Sequence, residues 1–500
     1  MTVKWPEKAG VVRENRQNHG RVAQKGRGRP RKPAKSRTSA PKWQGPSAKT
    51  RKITDEWPEK AGVVRKNPQN HGRVARNGRG HPRKQAKSRT SGPRRYEKNM
   101  ENGNNIQRLT AEAVRLLKEM VAIPSPSFSE DEVCTHICNW MTAQGISHKQ
   151  VGNNIIAEHI IDPDRPTLML CAHIDTVAPC EGYTFDPHTP DYADAAEAVA
   201  RKISGGEISA DILKEHGIGN VMPEDIVAGL GSNDDGASAV SMIAAFRYFS
   251  DRFFAGAQHD ICNLILVLSC EEERSGINGM TGLWSQLKDK VDYAIVGEPT
   301  GMKAATAERG LLVIDATAKG VSGHAARNEG INAIDIAIQD IQTLKSHTFE
   351  KVSPRMGKVN LNVTQINAGT AHNVIPDTCS FVIDIRPTEQ YTNEEILHQL
   401  QSICKSDLKP RNLSNRSSAT RECSPLQRTA ESLGIATFSS PTTSDWMRID
   451  CDAIKMGPGE SSRSHKKDEF VFVKEIEDGI RTYIRFIHGI KCDANGSYSI

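Results

Sequence analysis

Five hundred residues, 37% hydrophobic and 5% aromatic, give room for about two to four domains. The formal net charge of +6 conceals a division: residues 1–100 hold 29 Lys and Arg against 6 Asp and Glu, a net +23, and the other 400 hold 37 against 54, a net −17. The basic segment has no Cys, no Phe and almost no Leu or Ile, which excludes a hydrophobic core of its own, because ordering the chain would cost more than the burial returns.

Residues 1–99 are therefore read as a disordered basic leader. Within it, Trp5–Pro41 recurs as Trp57–Pro93, with 30 of 37 positions unchanged. Two copies without apolar periodicity are too few to stack into a solenoid. The first copy contains Arg27-Gly28-Arg29-Pro30, which resembles an AT-hook, a core whose arginines enter the narrow minor groove of A·T-rich DNA. The second copy reads Arg79-Gly80-His81-Pro82 and lacks one of those arginines. The competing reading is a solvated tail, or upstream sequence ahead of a start at Met100, and nucleic acid is not the expected partner. The first ten residues have no apolar segment of a secretory signal. The longest apolar runs, such as Leu264 to Leu268, fall far short of the roughly 20 residues that span a bilayer, so a cytoplasmic protein without membrane contact is expected. The 11 cysteines follow residue 130 at irregular spacings and read as reduced, buried thiols rather than a disulfide framework.

From Ile106 the texture turns globular. Leu109, Val114, Leu117 and Val121 mark a helix face, ended by Ile123-Pro-Ser-Pro-Ser127. Apolar strands at Leu168–Ile174, Leu264–Ser269 and Tyr293–Gly297 alternate with helical stretches, the pattern of an α/β domain, in which function collects at the carboxyl ends of strands. Metal-competent residues follow such apolar runs four times: His173 and Asp175, Asp234 and Asp235, Glu271-Glu272-Glu273, and Glu298. A single instance is ordinarily a helix cap or a core histidine; four in succession point to a site. Mixed His and carboxylate donors suit zinc or a similar divalent ion. Several carboxylates make a pair of ions plausible, with one carboxylate bridging them, which is the chemistry of amide hydrolysis.

The segments Ala172-His-Ile-Asp-Thr-Val177, Gly229-Leu-Gly-Ser-Asn-Asp-Asp-Gly-Ala237, Glu271-Glu-Glu273, Val296-Gly-Glu-Pro-Thr300, Gly320-Val-Ser-Gly-His-Ala-Ala-Arg327, Asn373-Val-Ile-Pro376 and Met456-Gly-Pro-Gly-Glu-Ser-Ser-Arg-Ser-His465 together resemble the dinuclear zinc hydrolases. That family includes acetylornithine deacetylase, succinyl-diaminopimelate desuccinylase, aminoacylases and glutamate-type carboxypeptidases. The resemblance covers about residues 106 to 490 and is nearest to the acetylornithine deacetylase-like members. It implies a zinc-exopeptidase-like catalytic domain with a central mixed sheet, in two segments (100–308 and 420–492), around an inserted ferredoxin-like α+β lid and dimerisation domain (309–419).

By position, the resemblance makes His173 and His465 ligands of different ions, Asp234 the bridge, and Glu272 and Glu298 the remaining ligands. Zn2+ is the expected metal, with Co2+ able to substitute. Asp175 would orient His173, and Glu271 would be the general base. Adjacent side chains on an extended segment point in opposite directions, so Glu271 faces the water while Glu272 faces the metal. Glu273 is expected to be solvated, and Asp235 is left out of the ligand set.

The lid reads as strand (311–318), helix (331–344), strand (358–366), strand (378–385), helix (393–404) and a weak strand near Leu413, a βαββαβ order. The resemblance implies a homodimer through this unit, with His324 donating to the oxyanion, commonly in the partner's site. Asn373 is a weaker candidate for that role. Arg386 and Arg327 are candidates for the substrate carboxylate, each with a lid salt bridge as its alternative. Residues 191–225 are longer than the family's connection and read as an extra helix or mobile insertion of surface character. The loop from Ser439 to Asp445 suits acyl recognition, although turn chemistry alone explains its composition. The expected activity is deacetylation of N-acetylornithine in arginine biosynthesis. Acyl-citrulline or succinyl-diaminopimelate deacylation and dipeptide hydrolysis keep the chemistry and change the substrate. An AT-hook protein with an inactive hydrolase domain is the alternative of a different class.

Overall fold

The computed structural model describes residues 103–188, 192–251, 262–327 and 329–490. The basic leader, with its repeat, its AT-hook-like core and Met100, lies outside the described residues. The first segment runs α1 (Gly103–Val121), α2 (Asp131–Ala143), β1 (Lys149–Val151), β2 (Asn154–His159), β3 (Thr167–His173), α3 (Tyr192–Ser204), α4 (Ala210–Glu215), β4 (Ile226–Ala228), α5 (Ala237–Ser250), β5 (Asn263–Ser269), α6 (Met280–Leu287), β6 (Tyr293–Val296) and β7 (Ala304–Glu308). An inserted α+β unit follows, with β8 (Leu312–Lys319), β9 (Gly323–His324), α7 (Ala333–Ser346), β10 (Asn360–Ala368), β11 (Val374–Ile375), β12 (Thr378–Arg386), α8 (Asn393–Ile403) and β13 (Asp407–Pro410). The chain returns through β14 (Ser418–Ala419), α9 (Pro425–Ser432), β15 (Thr437–Ser440), β16 (Asp452–Lys455), β17 (Phe470–Phe472) and α10 (Val473–Gly489).

The main sheet has the order β1-β2-β5-β3-β6-β16-β7-β14, with β15 beside β7. Its centre is parallel, β3 lying between β5 and β6, while β2 and β14 add antiparallel neighbours. Every residue of β3 and β5 is buried, which explains why both read as unbroken apolar runs: a strand covered on both faces has no polar alternation. Leu168 and Leu170 of β3 face the core built by α1, α5 and α10. Met169 and Cys171 face the other way, toward Leu283 and Trp284 of α6.

The inserted unit is an antiparallel sheet in the order β10-β12-β8-β13. Cys379, Phe381, Ile383 and Ile385 alternate inward from β12 against Ala337 and Leu344 of α7 and Ile396 and Leu400 of α8. A reciprocal cap starts α8: Thr392 Oγ1 accepts from the Glu395 amide at 3.1 Å and Glu395 Oε2 from the Thr392 amide at 2.9 Å. The expected βαββαβ order is present, with one shift: its last strand is β13 at 407–410, and Leu413 instead packs beside the core after that strand has ended. The small β9–β11 pair is an addition to that order. The two crossings between unit and main sheet are held against each other, the Gly310 amide donating to Ser417 Oγ at 2.9 Å and the Leu311 amide to the Asn415 carbonyl at 3.0 Å. A Cβ at Gly310 would lie 2.8 Å from the Asn415 carbonyl oxygen, so this approach requires glycine.

Residues 191–225 are not a surface appendage. Ala195, Ala198 and Val199 of α3, with Leu213 of α4 and Ile218, bury themselves against Ile226 and Ala228 of β4 and Phe470 and Phe472 of β17. The two strands pair with each other, outside the main sheet. The ten cysteines among the described residues are all free; eight of the ten are fully or partly buried, and Cys180 and Cys423 are exposed rather than buried. No helix among the described residues is long and apolar enough to cross a membrane.

Candidate metal centre

His173 ends β3, 3% exposed. Its Nδ1 lies 2.9 Å from the backbone carbonyl of Asp175 and its Nε2 3.2 Å from Asp234 Oδ1. The Asp175 carboxylate itself is 3.5 Å from Nδ1. Its oxygens accept from Ser127 Oγ at 2.7 Å and from the amides of Glu272 and Glu273 at 3.0 and 3.1 Å. Asp175 thus orients the imidazole chiefly through its carbonyl and uses its carboxylate to hold the glutamate turn. Burial pulls the Asp175 carboxyl up, yet the His173 contact, Ser127 and the Glu272 amide keep it below its usual value.

Asp234 was expected at the end of a main-sheet strand. The structure places it in a turn, Ser232–Gly236, between β4 and α5. The path requires Gly229 (φ 129°), where a Cβ would come within 2.6 Å of the Pro187 carbonyl oxygen. Asp234 Oδ1 faces His173, and Oδ2 lies 3.7 Å from Nε2 of His465, which is half exposed. The two carboxylate oxygens therefore address the two histidines. Asp235 is buried beside it and belongs to neither donor set described below.

The glutamate run departs from the sequence reading. β5 ends at Ser269, Glu271 takes a left-handed backbone (φ 58°), and Glu272–Arg274 form a 3-10 turn. The segment is not extended, so side chains do not alternate across it. Glu271 is not brought to the centre: its carboxylate accepts from the amide and Nδ2 of Asn278 at 3.0 and 2.7 Å. Glu273, expected to be solvated, is instead 8% exposed and accepts from His465 Nε2 at 2.8 Å. That contact, against burial, lifts His465 to about 9. His173, Asp234 and Glu273 present donor atoms within 4.8 Å of one another, as do His173, Glu272 and Glu298. Only the turn geometry exposes Glu273, and composition carries no signal for it.

Electrostatics fit a cation here. Burial first, then neighbouring carboxylates, raise Glu272 and Glu298 well above the usual carboxylate range despite His173 and Lys455. Burial would lower His173, but hydrogen bonds to Asp175 and Asp234 and the charge of Glu272 carry it well up. Four carboxylates beside one buried and one half-exposed imidazole are short of positive charge, the deficit that divalent ions with His and carboxylate ligands fill.

The other candidates lie in the inserted unit. His324 on β9 is exposed, its Nδ1 accepting from the Ala326 amide at 3.2 Å. It pairs in register with Val374, next to Asn373, whose carbonyl accepts from the Ala325 amide, so His324 and Asn373 are brought together there. Within this single chain neither joins the metal cluster. Arg386 makes a two-pronged contact to Asp384 at 2.9 and 3.1 Å, the salt-bridge alternative. Arg327 is exposed, with its guanidinium 3.9 Å from Glu329. In the loop after β15, Ser444 donates to Glu308 at 2.7 Å and Asp445 accepts from Ser269 at 2.6 Å, so both are structural.

Residues 306–412 match the peptidase dimerisation domain of the M20 family, and the described body around them carries a paired-donor centre. The chain is similar to metallohydrolases of the M20 type. Curated relatives are distant. A succinyl-diaminopimelate desuccinylase of Psychromonas ingrahamii is 28% identical over 269 residues, 48% of this chain and 70% of that protein. An acetylornithine deacetylase of Proteus mirabilis is 24% identical over 399 residues, 73% of this chain and 93% of that protein. Among solved structures, a dinuclear metal-binding peptidase of the M20 family from Bacillus subtilis shares the fold at 15% identity, with a TM-score of 0.53 over 77% of this chain and 98% of that one.

Proposed function

We propose that this metallohydrolase cleaves the amide bond of an N-acyl amino acid, with N-acetylornithine the leading substrate and arginine biosynthesis its setting. The observation that carries the reading is Asp234, whose two oxygens face His173 and His465. Asp234, Glu273 and His465 would hold one ion, and Asp234, His173 and Glu298 the other, with Zn2+ favoured by the mixed donors and Co2+ as a substitute. When bound, such a pair would polarise an amide carbonyl and acidify a water.

Glu272 is the general base in this reading. It lies among the donors yet is adjacent to Glu273, and it would take the proton from water and return it to the leaving amine. His324, with Asn373 beside it, would donate to the developing oxyanion across a two-fold homodimer built on the dimerisation domain. Arg327 and Arg386 are available to a substrate carboxylate only by releasing Glu329 and Asp384. Free thiols throughout the described residues suit a reducing, cytoplasmic setting.

The test is amine release by residues 100–500, loaded with zinc or cobalt, from acetylornithine, acetylcitrulline, succinylcitrulline, succinyl-diaminopimelate and dipeptides. Preference for acetylornithine supports the reading in full. Turnover of another member corrects the substrate, and no turnover of any overturns the proposal.

A further inference from the structure

Asp234 is carried by a turn, not by a strand or helix, so something outside that turn must hold it between the two histidines. Glu469 does this. Its side chain is buried, 1% exposed, and its Oε1 accepts from the backbone amides of Asn233 and Asp234, both at 3.0 Å. The Glu469 carbonyl also accepts from the Gly229 amide at 2.8 Å, where the chain leaves β4 on its way to that turn. The glutamate thus holds the loop at its start, Gly229, and at the residue that presents the bridging carboxylate.

Glu469 is itself fixed from behind. It immediately precedes β17, whose Phe470 and Phe472 are buried in the core made by residues 191–225. Its neighbour Asp468 accepts from the amide and hydroxyl of Thr184, both at 2.8 Å, and Arg201 of α3 donates to that hydroxyl at 2.6 Å. A continuous set of contacts thus runs from the insertion, through β17, to the amide of Asp234.

We infer that Glu469 is a positioning residue for the metal centre, acting by placing its carboxylate oxygen under the Asn233 and Asp234 amides, and that residues 191–225 serve as its brace. The inference rests on Asp234 being a metal ligand. What matters is where the acceptor oxygen stands, not the charge it carries. Glu469→Gln keeps an oxygen at the same reach without the charge. Glu469→Asp keeps the charge but withdraws the oxygen by one methylene, more than a 3.0 Å hydrogen bond tolerates.

Zn2+ affinity is measured on the full chain by competition with a chromophoric chelator, alongside kcat and KM, with near-ultraviolet circular dichroism to verify folding. Partners of metal ligands typically contribute about 10–100-fold in affinity. Glu469→Asp is expected to lose that much at one or both sites and to lower kcat more than KM changes, while Glu469→Gln stays within about threefold of the parent on the same scale. The proposal is overturned if both variants bind Zn2+ like the parent, if both weaken equally, or if Gln is the weaker. The parent's own stoichiometry separates the two claims: fewer than two Zn2+ per chain fails the dinuclear reading itself, whatever the variants do.

Discussion

Glu271, Glu272 and Glu273 differ only in the backbone that carries them. The left-handed residue at Glu271 and the 3-10 turn after it swing the second and third side chains to one side and leave the first with Asn278. The base and ligand roles proposed above therefore fall one residue later than the sequence reading puts them. The sequence showed that the run belonged to the site, since it follows a buried apolar strand, but a positive φ at a glutamate has no compositional signature. Glu272→Gln should retain both ions while kcat falls by about 10²–10⁴, Glu273→Gln should lose an ion, and Glu271→Gln should keep both ions and most of kcat. Metal analysis with steady-state kinetics decides it, and the reverse order for Glu271 and Glu272 restores the sequence reading. A second residue-level test concerns Lys455 and Glu308, both almost fully buried and 3.1 Å apart. Lys455→Met leaves a buried carboxylate unpaired and should cost about 3–5 kcal/mol in urea unfolding, much of it recovered by adding Glu308→Leu.

Among the elements, β3, β5 and β6 were legible because strands covered on both faces must be continuously apolar, and the helix from Ile106 because its apolar residues recur at three and four. β4 and β17 escaped notice: three residues each, paired only with one another, they are too short for periodicity to register. Their partner, residues 191–225, looked superficial because α3 mixes charges among its alanines, yet Ala195, Ala198 and Val199 fall on one buried face. Phe472 is completely buried there. Phe472→Ala should cost about 3–5 kcal/mol, read as a lowered urea midpoint. In the inserted unit, Thr392→Ala removes a cap worth about 1 kcal/mol and should lower the same midpoint only slightly. If the two changes are indistinguishable, the packing described for β17 is wrong.

At the scale of the whole molecule, the proposed ligands come from both sides of the inserted unit: His173, Asp234, Glu273 and Glu298 precede it and His465 follows. Metal should therefore stabilise the entire body, and every tenfold of free Zn2+ above its Kd should add about 1.4 kcal/mol. Tm measured against buffered Zn2+ checks this, and a Tm indifferent to chelator would contradict the centre. The ordering of these segments also has a consequence during synthesis. The His465–Glu273 contact spans 192 residues and the Asp468–Thr184 contact 284, and contacts closing such long loops form late. While the chain is still emerging from the ribosome, Asp234 and Glu273 must wait for His465 and Glu469 until residues 465–472 have been made. A nascent chain stalled short of that point would lack the second histidine, the grip on Asp234 and the cover over β4 all at once, and so would be a metal-poor intermediate in need of protection.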